Sequence, residues 1–337
     1  MRRVWMPRAG GPEVLEVREE PDPSPEAGFV RVRVGAAGVN FADLMARMGL
    51  YPDAPPFPFV AGYEVAGDVD AIGAGVDPSW MGAPVLAMTR FGGNSSVVCV
   101  PENQIVRRPP GMDAVTGASI PVVGLTAWMM LEEMGRVRAG DRVLVHSAGG
   151  GVGLAALDLC LARGAIAIGT ASRSKHDILL ERGFAALVDS RSANPEPELA
   201  AHGPFDLVLD AVGGDSWAMG LRLLRPGGRL VCFGMSSNAD GDSRSLLTVV
   251  RNLWAVPWLA TNPLSLINEN KGVLGVNMGH MWDEHVRMTG WLRHLCEMWA
   301  AGTFRPVVHE AVPFDRAADA HRIIHDRKNL GKVVLVP

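Results

Sequence analysis

Apolar and polar positions fall into three regimes along the chain. From Leu15 to Pro101 the apolar residues come in short bursts broken by turn formers. Residues 30–34 (VRVRV) alternate apolar and charged with period two, as a half-buried strand does. Stretches rich in proline and glycine at 21–25, 52–59 and 107–111 punctuate the remainder, so an irregular β-rich domain is expected. Near Ala118 the grammar changes. Residues 119–134 predict an apolar helix, and strands then alternate with helices. Strands are expected at 142–146, 165–170, 186–189, 205–210, 229–234 and 272–277, with 152–163 helical between the first two. Near-continuous apolar strands separated by helices indicate a parallel sheet covered on both faces. Six of them fit a doubly wound dinucleotide-binding fold. The last sixty residues change again: a helix at 285–301, a strand at 305–310, a helix at 314–326 and a strand at 332–336. Their expected place is back on the first domain. The chain then reads as residues 1–118 and 281–337 forming one domain, with 119–280 inserted as the other.

Composition narrows the classes of function. With 337 residues, 48% of them hydrophobic and 20% charged, the chain is a globular protein with room for two cores, and disordered and fibrous classes drop out. A formal charge of −4 offers no broad basic face, which argues against nucleic acid or an anionic membrane as the main partner. No apolar run is expected to reach the ~18 residues of a membrane span, and residues 1–10 lack the apolar core of a signal peptide. Cys99, Cys160, Cys232 and Cys296 lie far apart, with no metal-ligand or redox spacing. A reduced, cytoplasmic protein is expected.

The strongest local signal is 143–153, VLVHSAGGGVG. An apolar strand runs into a glycine cluster and then a helix, the setting in which a dinucleotide fingerprint becomes credible. Gly149, Gly150, Gly151 and Val152 form the loop and the first helical turn. Gly150 would let the backbone approach a pyrophosphate, and Gly153 would let helix and strand pack closely. Cofactor choice is read at the tip of the second strand. An NAD site usually carries an Asp or Glu there, about 20 residues beyond the motif. This strand instead ends Gly169-Thr170-Ala171-Ser172-Arg173-Ser174-Lys175. Two cations and two serine hydroxyls suit a 2′-phosphate, so NADPH is the expected cofactor, with Thr170, Ser172, Arg173 and Lys175 among its ligands. The competing reading of this tip is a solvated basic loop. Ligands of such sheets sit at the carboxyl ends of the strands, which nominates Phe233, Gly234, Met235, Ser236, Val276 and Asn277 as well.

Over nearly its whole length the sequence resembles the medium-chain dehydrogenase/reductase superfamily. The residues that carry this are 38–44 (GVNFADL), 61–67 (AGYEVAG), 124–127 (GLTA), the AGGGVG loop and 329–337 (NLGKVVLVP). The resemblance implies that the β-rich domain is GroES-like and catalytic. Zinc alcohol dehydrogenases of that superfamily carry a Cys ligand where this chain has Asn40, and a Gly-His-Glu triplet where it has Gly62-Tyr63-Glu64. Neither Asn nor Tyr replaces a thiolate or an imidazole on zinc, so a metal-free site is expected. The zinc-free branch it resembles is the quinone oxidoreductase group, and within it the vesicle amine transport protein homologues.

What the resemblance implies is hydride transfer from NADPH to a quinone or an α,β-unsaturated carbonyl, in which an enolate or hydroquinone anion must be stabilised. Tyr51 is the first candidate for that work, as proton donor or as the residue that orients the nicotinamide; a packing role is the alternative. Asn40 could bond the nicotinamide carboxamide or a substrate carbonyl, or simply open the helix at 41–48. By resemblance Thr126 meets the nicotinamide and Asn329 is a weaker nominee. Tyr63 is expected to pack. His146 is expected to be a satisfied core histidine; His176 could touch the adenosine phosphate, and His280 stays open. The apolar segment 246–260 could be a buried helix, a lid or wall over the substrate, or a dimer or membrane-surface contact. A homodimer through the edge strand 272–278 is expected, with a small apolar carbonyl or quinone as substrate. Two other functions stay in view: an NADPH-binding protein with a structural or sensing role, and an enoyl-thioester reductase.

Overall fold

The computed structural model describes residues 1–235 and 262–337. It divides into two compact units, Met1–Leu125 with Met278–Pro337, and Thr126–Asn277. The central unit is a six-stranded parallel sheet of β1 (Arg142–Val145), β2 (Ile166–Ala171), β3 (Ala186–Asp189), β4 (Phe205–Asp210), β5 (Leu224–Cys232) and β6 (Gly272–Gly275), in the order β3-β2-β1-β4-β5-β6. That is the doubly wound order, with its reversal between β1 and β4. Leu144, Ile168, Val188, Val208 and Leu230, one from each of the first five strands, gather in one buried cluster with Phe205 and Leu221. The apolar runs in the sequence are continuous because helices cover these strands from both sides. β5 begins earlier than expected. Pro226-Gly227-Gly228 sit inside it as an irregular stretch where its register with β4 shifts, and they read as a turn in sequence.

The other unit is built from antiparallel sheet. Phe29–Val39 is its long central strand, paired with Glu64–Ile72 on one side and with the C-terminal strand Lys332–Val336 on the other. The alternation at 30–34 is borne out: Val30, Val32 and Val34 point into a core with Val65, Val69, Val85 and Ile105. Val333 lies opposite Val39, so the last residues of the chain return to the end of this strand. The architecture is a Rossmann domain inserted into a GroES-like β-rich domain.

One expectation fails. Residues Ala114–Met134 have the length and apolarity of a membrane span, with a mean hydropathy of 1.6. The run is interrupted at Pro121, where a short helix (Ala114–Gly117) ends and a second (Pro121–Trp128) starts. Its most apolar window is 72% buried within the protein, which is why so apolar a segment needs no lipid. The expectations for Ser236 and for segment 246–260 lie outside the described residues.

Candidate active site and cofactor loop

In the β-rich unit, the central strand stops at Val39 and Asn40 caps the helix Phe41–Arg47 in an extended conformation. Asp43, three residues on, folds its carboxylate back. One oxygen accepts from the Asn40 N–H at 2.7 Å and the other from the Gly62 N–H at 3.0 Å. Burial pushes this carboxyl up to about 6, against the pull of the Asn40 N–H and the Lys332 charge. The register of the C-terminal strand then decides the rest. With Val333 opposite Val39, Lys332 arrives beside Asn40, where the Lys332 ammonium donates to Asn40 Oδ1. Asn40 Nδ2 donates to Glu64 Oε1 at 2.9 Å, and Lys332 Nζ lies 2.6 Å from the same oxygen. Glu64 Oε2 accepts from the Val122 N–H at 2.7 Å. Asn40, Asp43, Glu64 and Lys332 are all buried, so the four form a closed polar cluster inside an apolar unit. Asn40 opens the helix, and both ends of its amide are engaged within the protein.

Beside this cluster stands an aromatic wall. The Tyr51 and Tyr63 rings meet edge to face with centroids 6.4 Å apart. Phe91 lies 5.0 Å from Tyr63 and 5.9 Å from Phe59, and Phe57 lies 5.1 Å from Phe59. Tyr63 packs as expected, with its hydroxyl buried and turned towards the Tyr51 oxygen without a well-formed hydrogen bond. Burial, then the nearby Asp43 carboxylate, drive its phenol far above the ordinary tyrosine value. Tyr51 is half-buried; burial raises its phenol against the pull of the Tyr63 hydroxyl, and the carboxylates Asp53 and Asp43 add to the rise. Both hydroxyls therefore keep their protons and can donate. His280 Nε2 lies 2.9 Å from Asp53 Oδ2, two residues from Tyr51. Gly62 holds the floor of this region. Its φ is +103°, and a Cβ there would come within 2.5 Å of the Asn94 nitrogen. The Asn329 amide donates to Gly331 O at 2.7 Å, shaping the turn that leads into Lys332.

The central unit carries the glycine loop. β1 ends at Val145, Ser147 takes φ +57°, and Gly150 caps a helix that runs Gly151–Ala162. No side chain caps this helix, which leaves its first-turn N–H groups without a side-chain acceptor, as an anion-binding helix start requires. Gly153 has no alternative: a Cβ would stand 2.6 Å from Ala148 O and 2.7 Å from Ser147 O. His146 is the core histidine expected. It is only half satisfied: Nδ1 meets Thr170 Oγ1 at 3.1 Å, while the buried Nε2 makes no hydrogen bond among the described residues and lies 3.9 Å from Asp210 Oδ2; burial lowers its pKa against the pull of Asp210. Asp210, at the tip of β4, was not read from the sequence. It accepts from the N–H groups of Val212 (2.7 Å) and Gly213 (3.0 Å) and from Ser216 Oγ (2.5 Å), so it shapes the glycine turn there. Phe233, Gly234 and Met235 follow β5; the Phe233 N–H donates to Asp210 O at 3.0 Å and Met235 packs on Gly213. Val276 and Asn277 follow β6, with the Val276 N–H donating to Cys232 O at 2.9 Å. Thr126 opens the unit and is buried.

The tip of β2 holds Ser172, Arg173, Ser174 and Lys175 in one short turn, closed by the Lys175 N–H on Ser172 O at 2.9 Å. No carboxylate stands among these four residues. His176 Nε2 lies 3.0 Å from Ala171 O; that bond anchors the turn to the strand. Elsewhere, among the described residues, no three His, Cys, Asp or Glu side chains gather as a metal-holding group.

Comparison with known proteins places this arrangement. Residues 26–130 match the alcohol dehydrogenase GroES-like domain, and residues 182–335 match a family described as zinc-binding dehydrogenase. The chain belongs to the medium-chain dehydrogenase/reductase family of oxidoreductases. Within it, the chain falls in the quinone oxidoreductase branch beside the VAT-1 homologues. It is 37% identical over 333 residues to the synaptic vesicle membrane protein VAT-1 homolog of Rattus norvegicus, covering 97% of this chain and 82% of that one. It is 32% identical over 342 residues to a quinone oxidoreductase of Pseudomonas aeruginosa, covering 100% and 99%. Among solved structures, the quinone oxidoreductase of Escherichia coli complexed with NADPH superimposes with a TM-score of 0.86 at 28% identity over the full length of both chains.

Proposed function

We propose that this oxidoreductase reduces quinones or α,β-unsaturated carbonyls with NADPH and without zinc. The observation that carries the cofactor choice is the β2 tip, where serines and cations replace the carboxylate of an NAD site. The glycine loop fits a dinucleotide: Gly153 leaves bare backbone where a side chain would collide with Ala148 and Ser147, so the helix packs close to the strand, and Gly150 caps the helix with no side chain in front of its first N–H groups. Gly149 to Val152 would hold the pyrophosphate, and Thr170, Ser172, Arg173 and Lys175 the adenosine end. Thr126, Phe233 to Ser236, Val276, Asn277 and Asn329 would attend the rest of the cofactor. Bound dihydronicotinamide supplies a hydride from C4.

The chain's own residues then handle the charge that develops. The Tyr51 hydroxyl, kept protonated by its surroundings, donates to the enolate or hydroquinone oxygen or orients the nicotinamide. Asn40, held at both ends by Glu64 and Lys332, offers a rigid amide beside it. The Phe57, Phe59 and Phe91 rings provide the apolar, planar surroundings that suit a quinone. Support for a zinc-free site comes from the same cluster, since the Asn40 amide and both Glu64 oxygens are already taken by protein groups. The mostly buried segment 114–134 and four unpaired cysteines suit a protein of the reducing cytoplasm. Among the described residues β6 ends the central sheet with one edge unpaired, and a second copy would cover it to make a homodimer.

The test is NADPH oxidation with a panel of 1,2- and 1,4-quinones, alkenals, enones and a crotonyl thioester. Turnover of quinones or enones is expected. Turnover of the thioester alone would make the chain an enoyl reductase, and tight NADPH binding without turnover would make it a binding protein.

A further inference from the structure

We propose that Tyr63 is a positioning residue for Tyr51: its O–H donates to the Tyr51 oxygen while Tyr51 hands its own proton to the product oxygen. The inference rests on the quinone or enone reductase reading and deepens it. Of 337 residues only two are tyrosine, and the fold brings those two together, edge to face with centroids 6.4 Å apart. The Tyr63 hydroxyl is sealed within the protein and turned towards the Tyr51 oxygen, whereas Tyr51 is half-buried. Tyr63 is fixed through its backbone. The preceding Gly62 takes φ +103° and donates its N–H to Asp43 at 3.0 Å, while its carbonyl accepts from Thr89 Oγ1 at 2.9 Å. The Tyr63 carbonyl accepts from the Thr89 N–H at 2.9 Å, and the Phe91 ring packs on the Tyr63 ring at 5.0 Å. A phenol held in this way loses little freedom when it donates.

A buried hydroxyl without a well-formed hydrogen bond costs free energy, and a charged acceptor beside it offsets that cost. Tyr51 becomes such an acceptor during the reaction. As its proton passes to the enolate or hydroquinone oxygen, negative charge develops on the Tyr51 oxygen, directly in front of the Tyr63 O–H. Hydrogen bonds of this kind are often long and poorly aligned in the free protein and tighten in the reaction complex. The carboxylates around Tyr51 work the other way. Asp53 and Asp43 both disfavour a phenolate there, and Asp53 is met by His280 at 2.9 Å. Among the described residues, the Tyr63 O–H is the group that favours one. Water returns a proton to Tyr51 after the product leaves, so Tyr63 keeps its own proton throughout.

The test compares the wild-type protein with Tyr63→Phe, Tyr51→Phe and the double variant. Turnover of an enone and a quinone is measured beside a tyrosinate absorbance titration, which reads these two tyrosines alone. Tyr63→Phe should lower kcat about three- to tenfold and leave KM for the acceptor little changed. On the Tyr51→Phe background the same substitution should cost nothing further, because Tyr63 acts only through Tyr51. The tyrosine left in Tyr63→Phe should ionise at a higher pH than the first step of the wild type. Full kcat in Tyr63→Phe beside a loss in Tyr51→Phe would overturn the role of Tyr63 and leave the reductase reading standing. An equal loss on both backgrounds would also overturn that role, since a structural effect acts without Tyr51. A wild type that turns over neither acceptor would overturn the reductase reading. The titration then decides for the pair, and an unmoved first step in Tyr63→Phe would overturn the Tyr63 role as well.

Discussion

Lys332 and Glu64, 268 positions apart in sequence (332 − 64) and both buried, form an ion pair of 2.6 Å that holds the Asn40 amide from two sides. Burying two charges is costly unless each finds its partners, and here each does: Glu64 also takes the Val122 N–H, and Lys332 also donates to Asn40. Removing one partner strands the other. Lys332→Met and Glu64→Gln should each destabilise the fold by about 3–5 kcal/mol, read from chemical denaturation. The double variant should lose clearly less than the two added together. Strict additivity would show that the pair does not act as a unit.

Folding stability should depend on pH through His321. Burial and the neighbouring Arg47 push its pKa down to about 3. A lowered folded value means that the unfolded chain binds the proton first. The stability held above the ordinary histidine value is therefore lost as pH falls from about 6.5 towards 3. The loss attributable to this group is about 2 kcal/mol by pH 5. His321→Leu should flatten that part of the profile. Asp43 works in the opposite sense: its folded value of about 6 lies above the ordinary carboxylate, so its favourable contribution is full below pH ~4 and fades as pH rises through 6. An unchanged acid limb in His321→Leu would remove histidine burial as its cause.

Substituting Tyr51 with Phe keeps the ring and deletes the donor. We expect kcat to fall about 10- to 100-fold with the dissociation constant of NADPH little changed. Tyr63→Phe removes a buried hydroxyl that makes no well-formed hydrogen bond, so stability should change by less than about 1 kcal/mol. Equal activity of Tyr51→Phe and wild type would leave Tyr51 as a packing residue.

Much of this could be read from the chain, and what could not has identifiable reasons. The strands at 186–189 and 205–210 have the observed bounds because uninterrupted apolar runs carry their own limits. The glycine loop was legible because strand, loop and helix are contiguous. The Asn40 cluster was not. Asp43, Glu64 and Lys332 each stand inside a stretch that resembles the family, but their meeting depends on the pairing of Val333 with Val39, a register that no local pattern encodes. A lysine opening the otherwise apolar run KVVLV was the one available hint. The segment 114–134 is more apolar than the expectation allowed, because apolarity records that a helix is buried and leaves open whether lipid or protein buries it.

If the site is free of zinc, prolonged dialysis against a strong chelator should leave turnover within about twofold, and elemental analysis should find zinc well below one atom per chain. Loss of activity that added zinc restores would contradict the assignment, whatever the substrate.

The central claim is that this chain moves a hydride from NADPH to an electron-poor acceptor. It is tested most directly with NADPH carrying deuterium at both C4 positions and an enone as acceptor. Mass spectrometry should find one carbon-bound deuterium, β to the carbonyl, for each NADPH consumed. An unlabelled product, or NADPH left intact in the presence of both enones and quinones, would contradict the account.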